Sequence, residues 1–192
     1  MLEHRTPFDS VRALMGDGTR APERAELRVT PIRDRGLLLL QTASASDLQA
    51  ALNAEVGLTL PPALGTTTLD GRALLWLAPA EWLLELPAAE ADPIGAALTR
   101  RLSASLAAVT DLSDALVSFE MSGSGAAEIL MTGCSLDLGP DRFPTGQVAR
   151  TALADVPAIL WKLGDPDRIR CLIERAFADH FLEWLGGATP GT

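Results

Sequence analysis

Few side chains in this sequence could do chemistry. Cys134 and Cys171 are its two thiols, and His4 and His180 its two imidazoles. A thiol attacks or binds metal where its surroundings favour the thiolate. Cys134 follows the end of an expected helix, where the dipole disfavours negative charge. Cys171 sits in the run Ile169-Arg170-Cys171-Leu172-Ile173, so both cysteines read as core residues. His180 has Phe177 and Trp184 at helical spacing, which fits a packed or half-exposed helix position better than a general base. His4 lies in a polar N-terminal arm, and two histidines so placed do not make the usual zinc or iron sites. Asp111 and Asp114 form a close carboxylate pair, but no base or ligand accompanies them and they read as a turn. Gly123-Ser124-Gly125 precedes a helix, where backbone N–H groups can hold an anion. The third glycine and the ribose-binding acid of a dinucleotide fingerprint are missing, so a plain turn is the better reading. No Walker motif occurs. Trp76, Trp82, Trp161 and Trp184 each lie in an apolar run with sparse basic neighbours, as core anchors do and stacking platforms do not. The residues offer no catalytic, cofactor-binding or metal-binding constellation.

The bulk composition narrows the class. The 192 residues are 47% hydrophobic, enough for a full core in one domain or two small lobes. A net charge of −9 disfavours phosphate backbones and anionic lipid, so no nucleic-acid partner is expected. Two cysteines in this length suggest neither a disulfide framework nor a zinc site and fit a reducing cytoplasm. The N-terminus carries charges throughout and lacks the apolar region of a secretory signal. No apolar run approaches membrane-spanning length.

Periodicity sets out the elements that would position these residues. Residues 1–24 are a polar arm with Phe8 among its apolar side chains, docked on the chain's own core or on a partner. Strands are expected at Leu27–Ile32 and Leu37–Thr42, then a helix capped by Ser46 and ended by Gly57. Three short strands follow, with Asp70-Gly71 as a hairpin turn. Asp92-Pro93 opens a second helix, with Ile94, Ala97, Leu98, Leu102 and Leu106 on one face. The second half repeats the order. Val109–Leu112 and Ala115–Met121 are strands, Ser124 caps a helix over Gly125–Thr132, and Gly133 suits its left-handed exit. A Pro/Gly loop over 134–146, three strands and a helix over Arg175–Leu185 complete it. The chain thus reads ββαβββα twice. Asp70-Gly-Arg-Ala-Leu-Leu-Trp76 aligns with Asp155-Val-Pro-Ala-Ile-Leu-Trp161 at a constant offset of 85, which supports an internal duplication. The expected fold is α+β, with two ferredoxin-like lobes (residues 25–108 and 109–192) packed as one compact unit.

Three stretches carry a family resemblance: Ala78-Pro-Ala-Glu-Trp-Leu-Leu84, Gly133-Cys-Ser-Leu-Asp-Leu138 with Phe143-Pro144, and Arg175-Ala-Phe-Ala-Asp-His-Phe-Leu-Glu-Trp-Leu185. Over roughly residues 27–187 the chain resembles the gamma subunit of heterotetrameric sarcosine oxidase, a small relative of the folate-dependent aminomethyltransferase fold. The resemblance implies a complex with alpha, beta and delta subunits. That complex demethylates sarcosine oxidatively to glycine, yields peroxide and passes the one-carbon unit to tetrahydrofolate. It further implies that FAD, FMN, NAD, zinc and tetrahydrofolate sit on the other subunits and that gamma is non-catalytic. Two alternatives stay open. One is the equivalent subunit of a sister complex acting on another N-methyl amino acid. The other is a stand-alone folate-binding enzyme, which would need a carboxylate poised for the pterin and a channel between lobes. For a subunit, the 134–146 loop and the arm are the expected contact surface, with Leu136, Leu138, Phe143 and Phe8 as its candidates; Phe143 is either the anchor of that surface or tucked under its own lobe.

Overall fold

The structure, a computed structural model, describes residues 27–164 and 168–188. The first half holds β1 (Arg28–Ile32), β2 (Arg35–Thr42), α1 (Ala45–Glu55), β3 (Thr66–Leu69), β4 (Arg72–Ala78), β5 (Glu81–Pro87) and α2 (Ala88–Arg101). The second holds β6 (Ala107–Asp111), β7 (Leu116–Ser122), α3 (Ala126–Thr132), β8 (Val148–Leu153), β9 (Val156–Lys162) and β10 (Arg168–Glu174). A 3-10 turn (Arg175–Phe177) then leads into α4 (Ala178–Ala188). The order is ββαβββα twice, as the periodicity predicts.

The compact units are cut differently from the two sequence halves. One comprises residues 33–115 with 146–148; the other takes the remaining described residues. Their sheets run β3-β4-β5-β2-β6 and β1-β7-β10-β9-β8. The strand that opens each repeat therefore belongs to the other repeat's sheet. It completes a βαββαβ ferredoxin-like frame there: β2-α1-β4-β5-α2 with β6, and β7-α3-β9-β10-α4 with β1. Pairing explains the exchange. Both edges of β2 are taken, by β5 (Leu38↔Leu84) and by β6 (Leu40↔Val109). Both edges of β7 are taken, by β10 (Phe119↔Cys171) and by β1 (Val29↔Met121).

The first unit has a leucine core. Leu38, Leu40, Leu48, Leu52, Leu74, Leu84, Leu86 and Leu98 are buried together under α1 and α2. The second has an aromatic core around Phe119, Phe143 and Phe181, with Met121, Leu130, Leu138, Cys171 and Leu185. A fully buried Leu or Phe contributes about 1.5–3 kcal/mol, so these clusters dominate each unit's stability.

Several local expectations shift. α1 is capped by Ser44, whose hydroxyl accepts from the Asp47 N–H at 3.4 Å, not by Ser46. Gly57, at φ 70°, ends the exit from α1 as expected, its N–H donating to the Leu52 carbonyl. α2 begins at Ala88, so Pro93 lies inside it rather than at its first turn. Strong helix formers explain the early start, and Ala91 is buried in the leucine core. α2 stops at Arg101, which leaves Leu106 outside it and exposed.

Trp76 and Trp161 lie on equivalent strands, β4 and β9, but point to opposite faces. Trp76 packs against the leucine core. Trp161 is absent from the aromatic core and lies under the Arg170 guanidinium, 5.2 Å from ring centroid to Cζ. The turns show why. The residues with positive φ are Asp70 and Gly71 in one hairpin, Ala154 and Asp155 in the other, so the structural offset is 84 and not 85. A one-residue slip turns every side chain of a strand over.

Candidate functional site

The stretch most distinctive in sequence runs from β7 to the end of the loop before β8. Val117, Phe119 and Met121 face the aromatic core, and Glu120 faces the other way. The N-cap of α3 is Gly125, with no side-chain hydrogen bond, so Ser124 does not cap it. The turn is instead closed by Ala126 N–H donating to the Gly123 carbonyl at 3.0 Å. Ala126, Ile129 and Leu130 bury the inner face of α3.

Gly133 follows, with φ −117°, so it does not take the left-handed exit expected of it. Glycine is required there by a neighbour. A Cβ on Gly133 would come within 2.4 Å of Trp184 Cζ2. Two of the three stretches that carry the resemblance thus meet at one point. They are held by a relay of backbone groups: Ala154 N–H donates to the Gly133 carbonyl at 2.9 Å. His180 Nε2 sits 2.9 Å from the Ala154 carbonyl, which fixes the proton on Nε2. Phe181 stacks on Phe119 at 5.6 Å and on Trp184 at 5.8 Å between ring centroids.

The loop folds back on its own unit. Asp137 Oδ1 accepts from the Gly139 N–H at 2.9 Å, and the Gly139 carbonyl accepts from Arg142 and Phe143 N–H. This tight backbone directs Phe143 inward, at 2% exposure, beside Leu138 at 0%. The place of Leu138 on the expected contact surface is therefore corrected, and Phe143 takes the second of its two readings: both bury their apolar area in the chain's own core. Leu136 is half-buried against the same core. Phe8 lies outside the described residues.

The remaining candidates have structural duties. Cys171 is fully buried with its Sγ 3.6 Å from Met121 Sδ, and burial, then the nearby Cys134 sulfur, push its thiol well up. Cys134 accepts from the Leu136 N–H and lies 3.6 Å from Thr151 Oγ1. Asp111 shapes a turn by accepting from the Ser113 N–H at 2.8 Å. Among the described residues, no group of three or more His, Cys, Asp or Glu is placed to hold a metal. No described helix is long and apolar enough to cross a membrane.

Sequence reasoning missed a polar cluster on the sheet face away from the aromatic core. Glu120 on β7 accepts from Arg168 Nε at 2.9 Å and Arg170 Nη2 at 3.2 Å. Burial raises the Glu120 carboxyl, but these hydrogen bonds and the guanidinium charges outweigh it and leave it below the usual range. The alternation Arg168-Ile169-Arg170 was a visible signal, but its partner depends on the Glu120↔Arg170 register. Also missed was an open depression of about 420 Å³ in the leucine unit, lined by Asp47, Ala50, Ala51, Arg101, Ala104 and Ser105.

Residues 41–190 match the model of the sarcosine oxidase, gamma subunit family. The chain belongs to that family. The sarcosine oxidase subunit gamma of Corynebacterium sp. (strain U-96) is 34% identical over 187 residues, covering 94% of this chain and 87% of that one. The sarcosine oxidase subunit gamma of an Arthrobacter species is 33% identical over 138 residues, 71% of this chain and 66% of that one. Among solved structures, the heterotetrameric sarcosine oxidase from Corynebacterium sp. U-96, in complex with pyrrole 2-carboxylate, matches at TM-score 0.84 and 31% identity. The match covers 98% of this chain and 95% of that one. The glycine cleavage system aminomethyltransferase T from Bartonella henselae matches at TM-score 0.67 and 17% identity, over 94% of this chain and 56% of that one; this likeness is one of fold. The expected likeness of this chain to the aminomethyltransferase fold is thereby borne out.

Proposed function

We propose that this chain is an assembly subunit of a heterotetrameric sarcosine oxidase, without catalytic residues of its own. The observation that carries the reading is the near-complete superposition on a chain of the Corynebacterium heterotetramer. The partners are alpha, beta and delta subunits in the cytoplasm. FAD, FMN, NAD, zinc and tetrahydrofolate belong to those partners. There they supply the oxidation of the sarcosine N-methyl group, the reduction of oxygen to peroxide and the capture of the one-carbon unit. The side chains of this chain support an assembly role. His180 holds a backbone carbonyl, Cys171 fills a core and Glu120 is tied to two arginines.

The test is co-expression of the partner subunits with and without this chain. Omission is expected to abolish the assembled complex and its sarcosine-dependent peroxide production. The purified chain alone is expected to carry no flavin absorbance and to make no peroxide. Within the assembled complex, His180→Ala and Cys134→Ala should leave turnover per complex unchanged. Peroxide production by the isolated chain, or a large loss of turnover in a fully assembled variant, would overturn the reading.

A further inference from the structure

Within the leucine unit, one turn breaks the local rules of its own sequence. Gly65 N–H donates to the Pro62 carbonyl at 3.0 Å, which closes a four-residue turn over Pro62-Ala63-Leu64-Gly65. Leu64, its third residue, stands at φ 62°. A turn with positive φ at that place calls for glycine or asparagine. A leucine there is strained, because its Cβ crowds the following carbonyl oxygen. Burial of the side chain does not offset the strain, since Leu64 is 48% exposed.

A second piece of chain engages this turn. The leucine unit is built of residues 33–115 and, separately, residues 146–148. Val148 N–H donates to the Leu64 carbonyl at 2.7 Å, and Thr66 Oγ1 donates to the Gly146 carbonyl at 2.9 Å. Val148 itself is fully buried. The strained residue is thus an acceptor in the tie. Closing the three-residue piece holds Leu64 left-handed, and opening it lets Leu64 relax. The next carbonyl has a different duty. Gly65 accepts from the Trp76 N–H at 3.0 Å, and Trp76 lies on β4, which is paired on one edge with β3 and on the other with β5. Two neighbouring carbonyls therefore report on two parts of the unit, Leu64 on the added piece and Gly65 on the sheet.

Backbone strain persists only where the surrounding structure over-determines it, and it collects at switch segments. We propose that residues 146–148 are a strap that closes on the 62–65 turn and opens as a local unit while the sheet of the leucine unit stays folded. Strain at Leu64 favours the open form. The two hydrogen bonds and the burial of Val148 favour the closed one. The strap goes beyond the subunit reading and does not depend on it.

The experiment is native-state amide hydrogen exchange on the full chain, followed by NMR at stepped urea concentrations below the unfolding transition. Val148 N–H should exchange through a local opening, with protection roughly tenfold or more below that of Trp76 N–H and almost independent of urea. Trp76 N–H should exchange with the unit as a whole and lose protection as urea rises. Leu64→Asn keeps the turn and relieves its strain, because asparagine tolerates left-handed backbone better than leucine does. It should raise Val148 protection roughly threefold to tenfold. Thr66→Val keeps the side-chain shape and removes the hydroxyl donor, and it should lower Val148 protection roughly fivefold. Both substitutions are at partly or largely exposed positions, and protection of Trp76 N–H reports in the same spectra that each variant is folded. Val148 protection and urea dependence equal to those of Trp76 would show that the piece opens only with the whole unit, and would overturn the proposal. Val148 protection that Leu64→Asn leaves unchanged or lowers would overturn it too, because the turn would then hold no strain for the strap to release.

Discussion

The leucine unit and the aromatic unit follow one element order and solve it with different side chains. In both, the connection leaving the first helix returns apolar groups to the core. In the leucine unit that connection runs from Val56 to Gly65 and buries Val56 and Leu58. In the aromatic unit its counterpart takes up residues 133–145 and buries Leu138 and Phe143. The sheet faces away from the two cores also correspond, with roles exchanged. In the leucine unit the acid is on β5 and the base on β2, as Glu85 and Arg35 at 2.9 Å. In the aromatic unit the acid is on β7, equivalent to β2, and the bases are on β10, equivalent to β5. The comparison teaches that the two copies share strand pairing and layer order, while they differ in charge placement and loop content.

The strongest way to break this comparison is at the loops. We predict that Phe143→Ala costs about 3–5 kcal/mol, because a fully buried aromatic leaves a cavity that the loop cannot fill. Leu58→Ala, at the corresponding loop of the leucine unit, should cost about 2–4 kcal/mol. Urea unfolding of the purified chain reads both. A cost at Phe143 below that at Leu58 would show the longer loop to be a loose cover and not part of its core.

The two glycines that follow the first helices offer a sharper contrast. Gly57 is at positive φ, and Gly133 is not. Gly57→Ala should cost about 1 kcal/mol through backbone strain, with only the flexible end of Leu69 near the new methyl. Gly133→Ala should cost about 2–3 kcal/mol by overpacking against the indole of Trp184. Adding Trp184→Leu should recover a good part of the Gly133→Ala loss and none of the Gly57→Ala loss. Purely additive effects of Gly133→Ala and Trp184→Leu would mean the contact is not what requires the glycine.

These contrasts also mark what the sequence could reveal. Strand alternation, Asp70-Gly71 and Gly57 act over a few residues, and each was readable from its neighbours. The exchange of β1 and β6 was not, because a strand's own pattern does not name its pairing partner. The facing of Trp161 was lost to a one-residue ambiguity in a turn that reads Ala154-Asp155 where the other repeat reads Asp70-Gly71. Gly133 looked like a helix exit because its real constraint, Trp184, is 51 residues away in sequence. Phe143 could be read as surface anchor or as core, because prolines and glycines around it signal a loop, and loop composition does not say which way an aromatic faces. The depression lined by Arg101 and Ser105 depended on α2 ending at Arg101, a boundary that helical periodicity overran.

The exchanged ion pairs give a smaller, pH-dependent effect. The Glu120 carboxyl is held below its ordinary value in the folded chain. Its stabilising contribution is therefore full above the usual glutamate range and is lost as the pH falls through the folded value. Glu120→Gln should cost about 1–2 kcal/mol at neutral pH. It should also flatten the acid limb of stability against pH, since the variant has no carboxyl left to protonate there. An acid limb as steep as wild type would assign that limb to other carboxylates.

The smallest effect tests the hairpin turns, where the frame itself is compared. Gly71 and Asp155 are the second residues of equivalent two-residue turns, at φ 75° and 64°. This left-handed pair is the geometry that matches strand twist in a tight hairpin, and it favours glycine. A Cβ on Gly71 would meet nothing within 4 Å, so Gly71→Ala isolates the backbone term and should cost about 1 kcal/mol. Arg35 Nη2 donates to the Gly71 carbonyl at 2.6 Å, a contact the methyl does not disturb. Asp155→Gly should run the other way, relieving left-handed strain at the cost of a more flexible unfolded chain. Aspartate tolerates this region better than most residues, so the gain should be only about 0.5 kcal/mol. Opposite signs for the two substitutions would confirm that the hairpins are equivalent at an offset of 84. A loss at both would mean that the Asp155 side chain makes a contact in its turn that the Asp-Gly hairpin does not need.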